Sequence, residues 1–292
     1  MIFYHLILLV TSLAILVWGA DKFVDNSSLI AKKFGLSELT IGLTIIALGT
    51  SAPEIFVGIS SVFNGTEALA MGTVIGSNIS NIALIFGVSC IGVSMRPAKT
   101  NLVQFIPFAI AAIILGLVLL DLKITVIEGW VLLIIFALFI FITYQYRGSE
   151  VDDQIEESAT GTITILLYLT VGLLALIGGS NFAVIHAEKI AYILNVPQLI
   201  IGLTIIALGT SLPELAATIS AIMKNKNDMV IGNVIGSNVM NIALVLPIIG
   251  FFSNTSFDST LLSRDYFVMF IATILFVLLA ATYSSNKINL KF

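Results

Sequence analysis

Residues 41–51 read IGLTIIALGTS, and the same eleven letters return at 201–211, 160 positions later. Both copies continue through a Pro-Glu pair, Pro53-Glu54 and Pro213-Glu214. Both then reach a second shared cassette, VIGSN followed by NIAL, at 74–84 and 234–244. Aligned without a gap, 25 of the 44 positions in 41–84 match 201–244. A duplication of this kind in an apolar chain points to a transporter made of two homologous halves. Because a carboxylate occupies the same place in both copies, the repeat also nominates the chemistry.

The chain is 58% hydrophobic and only 10% charged, with a mean hydropathy of +1.10. Soluble domains carry about 25% charged residues, so these values place the protein in a membrane. A net charge of −4 excludes nucleic acid as a partner. The one cysteine, Cys90, cannot form an internal disulfide and reads as a small core residue. The first apolar run lacks a basic leader region and a small-residue cleavage site, so it is expected to be retained as a span.

A bilayer core of about 30 Å needs roughly 20 apolar residues per helix. Nine segments qualify, at about 2–20, 38–63, 68–93, 102–120, 125–146, 161–182, 198–223, 228–252 and 265–283. The expected protein is an all-α integral membrane fold, an inverted repeat of five plus five helices with the tenth missing. The first repeat covers 1–146 and the second 161–292. An acidic linker at 147–160 carries Glu150, Asp152, Asp153, Glu156 and Glu157, and reads as solvated chain rather than a cation site. A partner for the fifth span would fall near 285–306, past Phe292, which suggests truncation.

Lys22, Lys32, Lys33, Arg96, Lys99, Arg147, Lys224, Lys226, Lys287 and Lys291 follow odd-numbered spans; only Lys123, Lys189 and Arg264 lie on the other side. The positive-inside rule then puts the N-terminus outside and the linker in the cytoplasm of a multi-pass cell-membrane protein. The two motifs fall in spans 2 and 7, an odd number apart, so the copies cross in opposite directions, as alternating access requires.

Proline removes a helix hydrogen bond and crowds the carbonyl four residues back. Pro53 and Pro213 are thus expected to free the carbonyls of Gly49 and Gly209, beside Ala47, Thr50, Ala207 and Thr210. Broken backbone at membrane depth is tolerated where it lines protein or a wet cavity. Thr50 and Glu54 are four apart and expected on one helix face, as are Thr210 and Glu214; Ser77 and Asn81 repeat the spacing, mirrored by Ser237 and Asn241. An acid at a helix centre costs roughly 2.5–3.5 kcal/mol, so two of them argue for a role. The donors are all oxygen, which suits Ca²⁺ and Na⁺ and disfavours zinc, copper or iron.

Several residues also have plainer readings. Ser60 and Ser220 are expected to bond their own helix backbone. Gly72 and Gly76 serve close helix packing as well as the site. Asn78 and Asn238 read equally as helix braces or ligands. Glu67 and Asp228 fall at loop positions and are expected to be solvated. His5 and His186 lie near span ends, and neither nucleophilic nor acid hydrolysis finds a complete set of groups, so no enzyme is expected.

The paired G-T-S-x-P-E and G-S-N-x-x-N cassettes resemble the α-repeats of the calcium/cation antiporter superfamily, in particular its sodium/calcium exchanger branch. Gly19-Ala20-Asp21 and Gly179-Ser180-Asn181 resemble further family elements, and about nine-tenths of the chain can be placed. The resemblance implies a central Ca²⁺ held by Glu54 and Glu214 with oxygens from Thr50 and Thr210. It implies flanking Na⁺ sites at Ala47, Ser51 and Ser77 and at Ala207, Ser211 and Ser237, with Asn81 and Asn241 in the middle. It further implies that spans 1 and 6 slide over the core, Gly19 and Gly179 keeping them smooth. One departure is Asn241, where potassium-dependent exchangers and some prokaryotic members carry Asp; the neutral pair argues against potassium dependence.

Two buried carboxylates resist crossing empty, since desolvation costs several kcal/mol per unpaired ion. One Ca²⁺ neutralises them, as do two Na⁺, so flow of one ion demands counterflow of the other. The expected function is therefore Na⁺/Ca²⁺ antiport by a monomer in the lipid bilayer, with no cofactor. Proton-coupled or potassium-dependent exchange, and a cation channel, stay open as alternatives.

Overall fold

The computed structural model describes residues 2–90, 102–147, 161–196, 207–253 and 255–286. Residues 148–160 of the 147–160 linker and the start of the seventh expected span lie outside the described residues, as do Arg96, Lys99, Lys287 and Lys291.

Among the described residues the chain is helical: α1 (Ile2–Phe34), α2 (Glu38–Thr50), α3 (Ala52–Phe63), α4 (Glu67–Cys90), α5 (Val103–Asp121), α6 (Val126–Gln145), α7 (Thr162–Ile193), α8 (Ala207–Thr210), α9 (Leu212–Met223), α10 (Asn227–Phe252) and α11 (Leu261–Ala280). Seven of these are long and apolar enough to cross a membrane, or eight if the bent pair α2–α3 is one span. Local chemistry sets the starts. Ser37 caps α2 by accepting from the Thr40 amide at 3.1 Å, and Thr125 and Glu128 form a reciprocal capping box that opens α6.

Two spans are longer than the sequence suggests. The expected 2–20 continues unbroken to Phe34 and the expected 161–182 to Ile193. At 1.5 Å per residue, α1 is about 50 Å long, so it outreaches a bilayer core and must tilt or project. The polar residues from Asp21 onward did not end α1 because a hydrated helix needs no apolar run; only Gly35, at φ +62°, ends it.

α1 and α7 pack antiparallel along their lengths. His5 meets His186 with ring nitrogens 3.1 Å apart, and Gly19 abuts the backbone of Gly172 to Leu176. A Cβ at Gly179 would come within 2.6 Å of the Leu16 amide. These glycines therefore let the backbones of α1 and α7 approach each other.

The core centres on α10, which is buried over most of its length. Gly232 and Gly236 press its backbone against Leu39, Leu43 and Ala47 of α2. Phe3, Val17, Ile127, Ile134, Phe141, Ile163 and Leu174 are exposed on the outer helices, an apolar coat suited to lipid.

Candidate cation site

The repeated Ser-x-Pro-Glu segments build the site by breaking two helices in the same way. Ser51 (φ −81°, ψ 0°) interrupts the path between α2 and α3, which are bent by 50°. Ser211 (φ −89°, ψ 5°) stands between α8 and α9. Pro53 and Pro213 then occupy the second position of the new helices, where a missing amide hydrogen costs nothing. Thr50 and Glu54 thus belong to different helices, correcting the expectation that they share one face. The Gly209 carbonyl accepts the Ser180 hydroxyl at 3.1 Å, so that freed carbonyl is partly satisfied from α7.

Glu54 and Glu214 are 2% and 1% exposed, one in the first turn of α3 and the other in that of α9. The Ser51 hydroxyl donates to Glu214 Oε1 at 3.1 Å, joining the repeats. Both oxygens of Glu54, Oε2 of Glu214 and the Ser211 hydroxyl have no hydrogen-bond partner among the described residues. Thr50, Ser51, Ser77, Ser211 and Ser237 are buried, and Thr210 is half-buried. The Ala47 carbonyl receives the Ser51 amide at 2.9 Å. The backbone of Ala207 opens α8, while its side chain lies outside the described residues.

The asparagines supply the second layer. Asn81 Nδ2 donates to Asn238 Oδ1 at 3.0 Å, and Asn241 Nδ2 donates to Asn78 Oδ1 at 3.3 Å. Asn78 Nδ2 reaches the Asn238 carbonyl at 3.4 Å. Asn78 and Asn238 are therefore braces between the repeats, which resolves the ambiguity of the sequence. The crossing engages the amide nitrogens of Asn78, Asn81 and Asn241, and Asn81 Oδ1, Asn241 Oδ1 and Asn238 Nδ2 have no hydrogen-bond partner among the described residues. Each of these two asparagines begins a π-helical turn, Asn81–Phe86 and Asn241–Val245, a distortion frequent at functional sites.

Other expectations are corrected. Ser60 accepts from Asn64 at 3.2 Å instead of bonding its own backbone, and Ser220 Oγ has no hydrogen-bond partner among the described residues. Glu67 and Asp228 lie in first helical turns, not loops, where a carboxylate favours the helix dipole. Sequence reasoning missed Asn233, which receives the Thr50 hydroxyl at 3.2 Å. The signal was present: Asn233 sits four residues before Ser237, on the same face.

At one end of the molecule, Lys224 bridges Asp21 and Asp25 of α1, the latter at 2.7 Å. Lys226 approaches Asp25 at 3.7 Å; burial pulls its ammonium below the usual lysine range, with Asp25 opposing.

Buried carboxylates and amide oxygens lining broken helices define a membrane carrier for hard cations. The family model for "Sodium/calcium exchanger protein" matches residues 4–145 and 164–291. A putative antiporter, CaxA of Alkalimonas amylolytica, is 37% identical over 94% of this chain and 89% of its own length. The inner membrane protein YrbG of Escherichia coli (strain K12) is 33% identical over 93% and 87%. The solved structure of the sodium–calcium exchanger NCX_Mj soaked with 10 mM Na⁺ superposes with a TM-score of 0.85 at 29% identity, covering 100% of this chain and 94% of that one. The chain belongs to the sodium/calcium exchanger family of the calcium/cation antiporters, and it is a multi-pass membrane cation antiporter.

Proposed function

We propose that this chain exchanges Na⁺ for Ca²⁺ by alternating access, with Glu54 and Glu214 as the carboxylates that the cations neutralise. The observation that carries the reading is a set of buried acceptors without hydrogen-bond partners among the described residues: both oxygens of Glu54, Oε2 of Glu214, and Oδ1 of Asn81 and of Asn241. Leaving a buried acceptor unsatisfied costs about 1–3 kcal/mol, more for a charged group, and cations relieve all of them at once. An all-oxygen donor set suits Ca²⁺ or Na⁺.

In this reading the central Ca²⁺ takes Glu54, Glu214, Thr50 and Thr210. Na⁺ takes Ala47, Ser51 and Ser77 on one side and Ala207, Ser211 and Ser237 on the other, with Asn81 and Asn241 between. The two repeats are inverted, a reading supported by the antiparallel crossing of α1 and α7. The N-terminus is outside, the 147–160 linker is cytoplasmic, and a monomer is the working unit. With both acids ionised the site carries −2; one Ca²⁺ or two Na⁺ cancel it, and a third Na⁺ leaves +1. Moving that charge through 100 mV is worth about 2.3 kcal/mol, so three-for-one exchange responds to voltage.

The test is ⁴⁵Ca²⁺ uptake into proteoliposomes under imposed Na⁺, K⁺ or H⁺ gradients. An outward Na⁺ gradient is expected to drive uptake without K⁺. Uptake driven by a pH gradient in sodium-free buffer, or a strict K⁺ requirement, overturns the coupling.

A further inference from the structure

The repeats are nearly identical through their second cassette, yet the position immediately before it differs in kind: G-T-V-I-G-S-N holds Thr73 where G-N-V-I-G-S-N holds Asn233. Asn233 is 2% exposed on α10 and sits among hydroxyls from both halves. Its Oδ1 receives the Thr50 hydroxyl at 3.2 Å and, more distantly, the Ser237 hydroxyl at 3.5 Å. Its Nδ2 donates to Thr218 Oγ1 at 3.3 Å, which fixes the carboxamide with its oxygen toward Thr50. Thr218 lies one turn beyond Glu214 on α9.

A hydroxyl binds a cation only through its lone pairs, so its single proton must be held elsewhere. The Thr50 proton has the carbonyls of Ile46 at 3.0 Å and Ala47 at 3.4 Å as further acceptors. These acceptors and Asn233 Oδ1 hold that proton, which leaves the Thr50 lone pairs for a cation. For Ser237, Asn233 Oδ1 is the acceptor that the structure supplies.

We propose that Asn233 is a positioning residue that sets the polarity of Thr50 and Ser237, and so makes the cation sites of the two repeats unequal. This rests on the Na⁺/Ca²⁺ reading above. Thr73, a shorter side chain with no carboxamide, stands at the matching position of the first repeat. The expected consequence is on apparent affinity, for Ca²⁺ through Thr50 and for Na⁺ through Ser237, with little change in the maximal rate.

The experiment compares Asn233→Leu, Asn233→Thr and Asn233→Asp in Na⁺-driven ⁴⁵Ca²⁺ flux, alongside Ca²⁺-dependent melting of the detergent-solubilised protein. Leu and Thr are expected to raise the half-saturating Ca²⁺ and Na⁺ concentrations about tenfold, the scale of one lost polar interaction. Asp keeps both the acceptor oxygen and the size, Thr218 is able to donate to it in turn, and its carboxyl adds negative charge that favours cations, so half-saturation is expected at or below the wild-type concentration. Unchanged half-saturation in the Thr or Leu variant, or an Asp variant as impaired as Leu, overturns the proposal; the second result would assign Asn233 to packing alone. Should the Leu variant not fold, Asn233→Thr decides the same question. Normal wild-type exchange with an indifferent Asn233 sinks only this inference, whereas absence of Na⁺-driven uptake in the wild type sinks the coupling itself.

Discussion

Ser51 of the first repeat donates a hydrogen bond to Glu214 of the second at 3.1 Å, while the symmetry-related hydroxyl of Ser211 has no hydrogen-bond partner among the described residues. The pair of carboxylates is thus held unevenly: Glu214 is anchored across the repeat boundary, and Glu54 keeps both oxygens available. A hydrogen bond to a charged group is worth about 1.5–3 kcal/mol. Ser51→Ala is therefore expected to lower the melting temperature in cation-free buffer clearly more than Ser211→Ala. Equal shifts measured by differential scanning fluorimetry would show that the bond contributes nothing.

Neutralising either acid removes the reason for a divalent ion to bind. Glu54→Gln and Glu214→Gln are expected to abolish Ca²⁺ transport, with affinity falling on the order of 100-fold or more, the scale of breaking a buried ion pair at 3–5 kcal/mol. The protein should still fold, because an amide is cheaper to bury than a carboxylate. Vesicles of either variant with normal Na⁺-driven ⁴⁵Ca²⁺ uptake would refute the ligand assignment.

The α1–α7 seam has no room for a side chain. A Cβ on Gly179 would sit 2.6 Å from the Leu16 amide and 2.9 Å from the Ser12 carbonyl oxygen. Overpacking of this kind costs about 1–3 kcal/mol, so Gly179→Val should lower thermal stability and slow exchange. Ca²⁺ binding to the purified variant should persist, since the seam contributes no ligand. Loss of binding with unchanged melting would contradict this.

Lys224 ties α1 to the turn between α9 and α10 through Asp21 and Asp25, and its side chain is 22% exposed. Exposed pairs contribute about 0–1 kcal/mol, and 1 M salt shortens the screening length to about 3 Å. Lys224→Met is expected to melt slightly below the wild type in dilute buffer and together with it in 1 M salt. A gap that survives high salt would mean that Lys224 acts by packing its stem rather than by charge.

Much of the site was legible because duplication marks residues independently of their surroundings. Glu54, Glu214, Ser51, Ser211, Asn81 and Asn241 stand at matched positions, and the structure buries all six. The continuation of α1 to Phe34 and α7 to Ile193 was not legible, because hydropathy registers where lipid begins and not where a helix stops. Nor could spacing along one strand of sequence separate Asn78 from Asn81. Both look like intramembrane amides; only across the repeat boundary does one become a brace and the other keep a free oxygen.

The amino-acid order alone determined that this chain spans membranes, that it has two like halves, and that each half delivers one glutamate behind a proline. Those properties follow from composition and local rules. The tertiary structure decided that Ser51 breaks the helix between Thr50 and Glu54, that Ser51 reaches Glu214, and that Asn233 gathers hydroxyls from both repeats. The last two relationships join residues more than 160 positions apart, and their partners are set by how α2, α9 and α10 pack, which no local periodicity encodes.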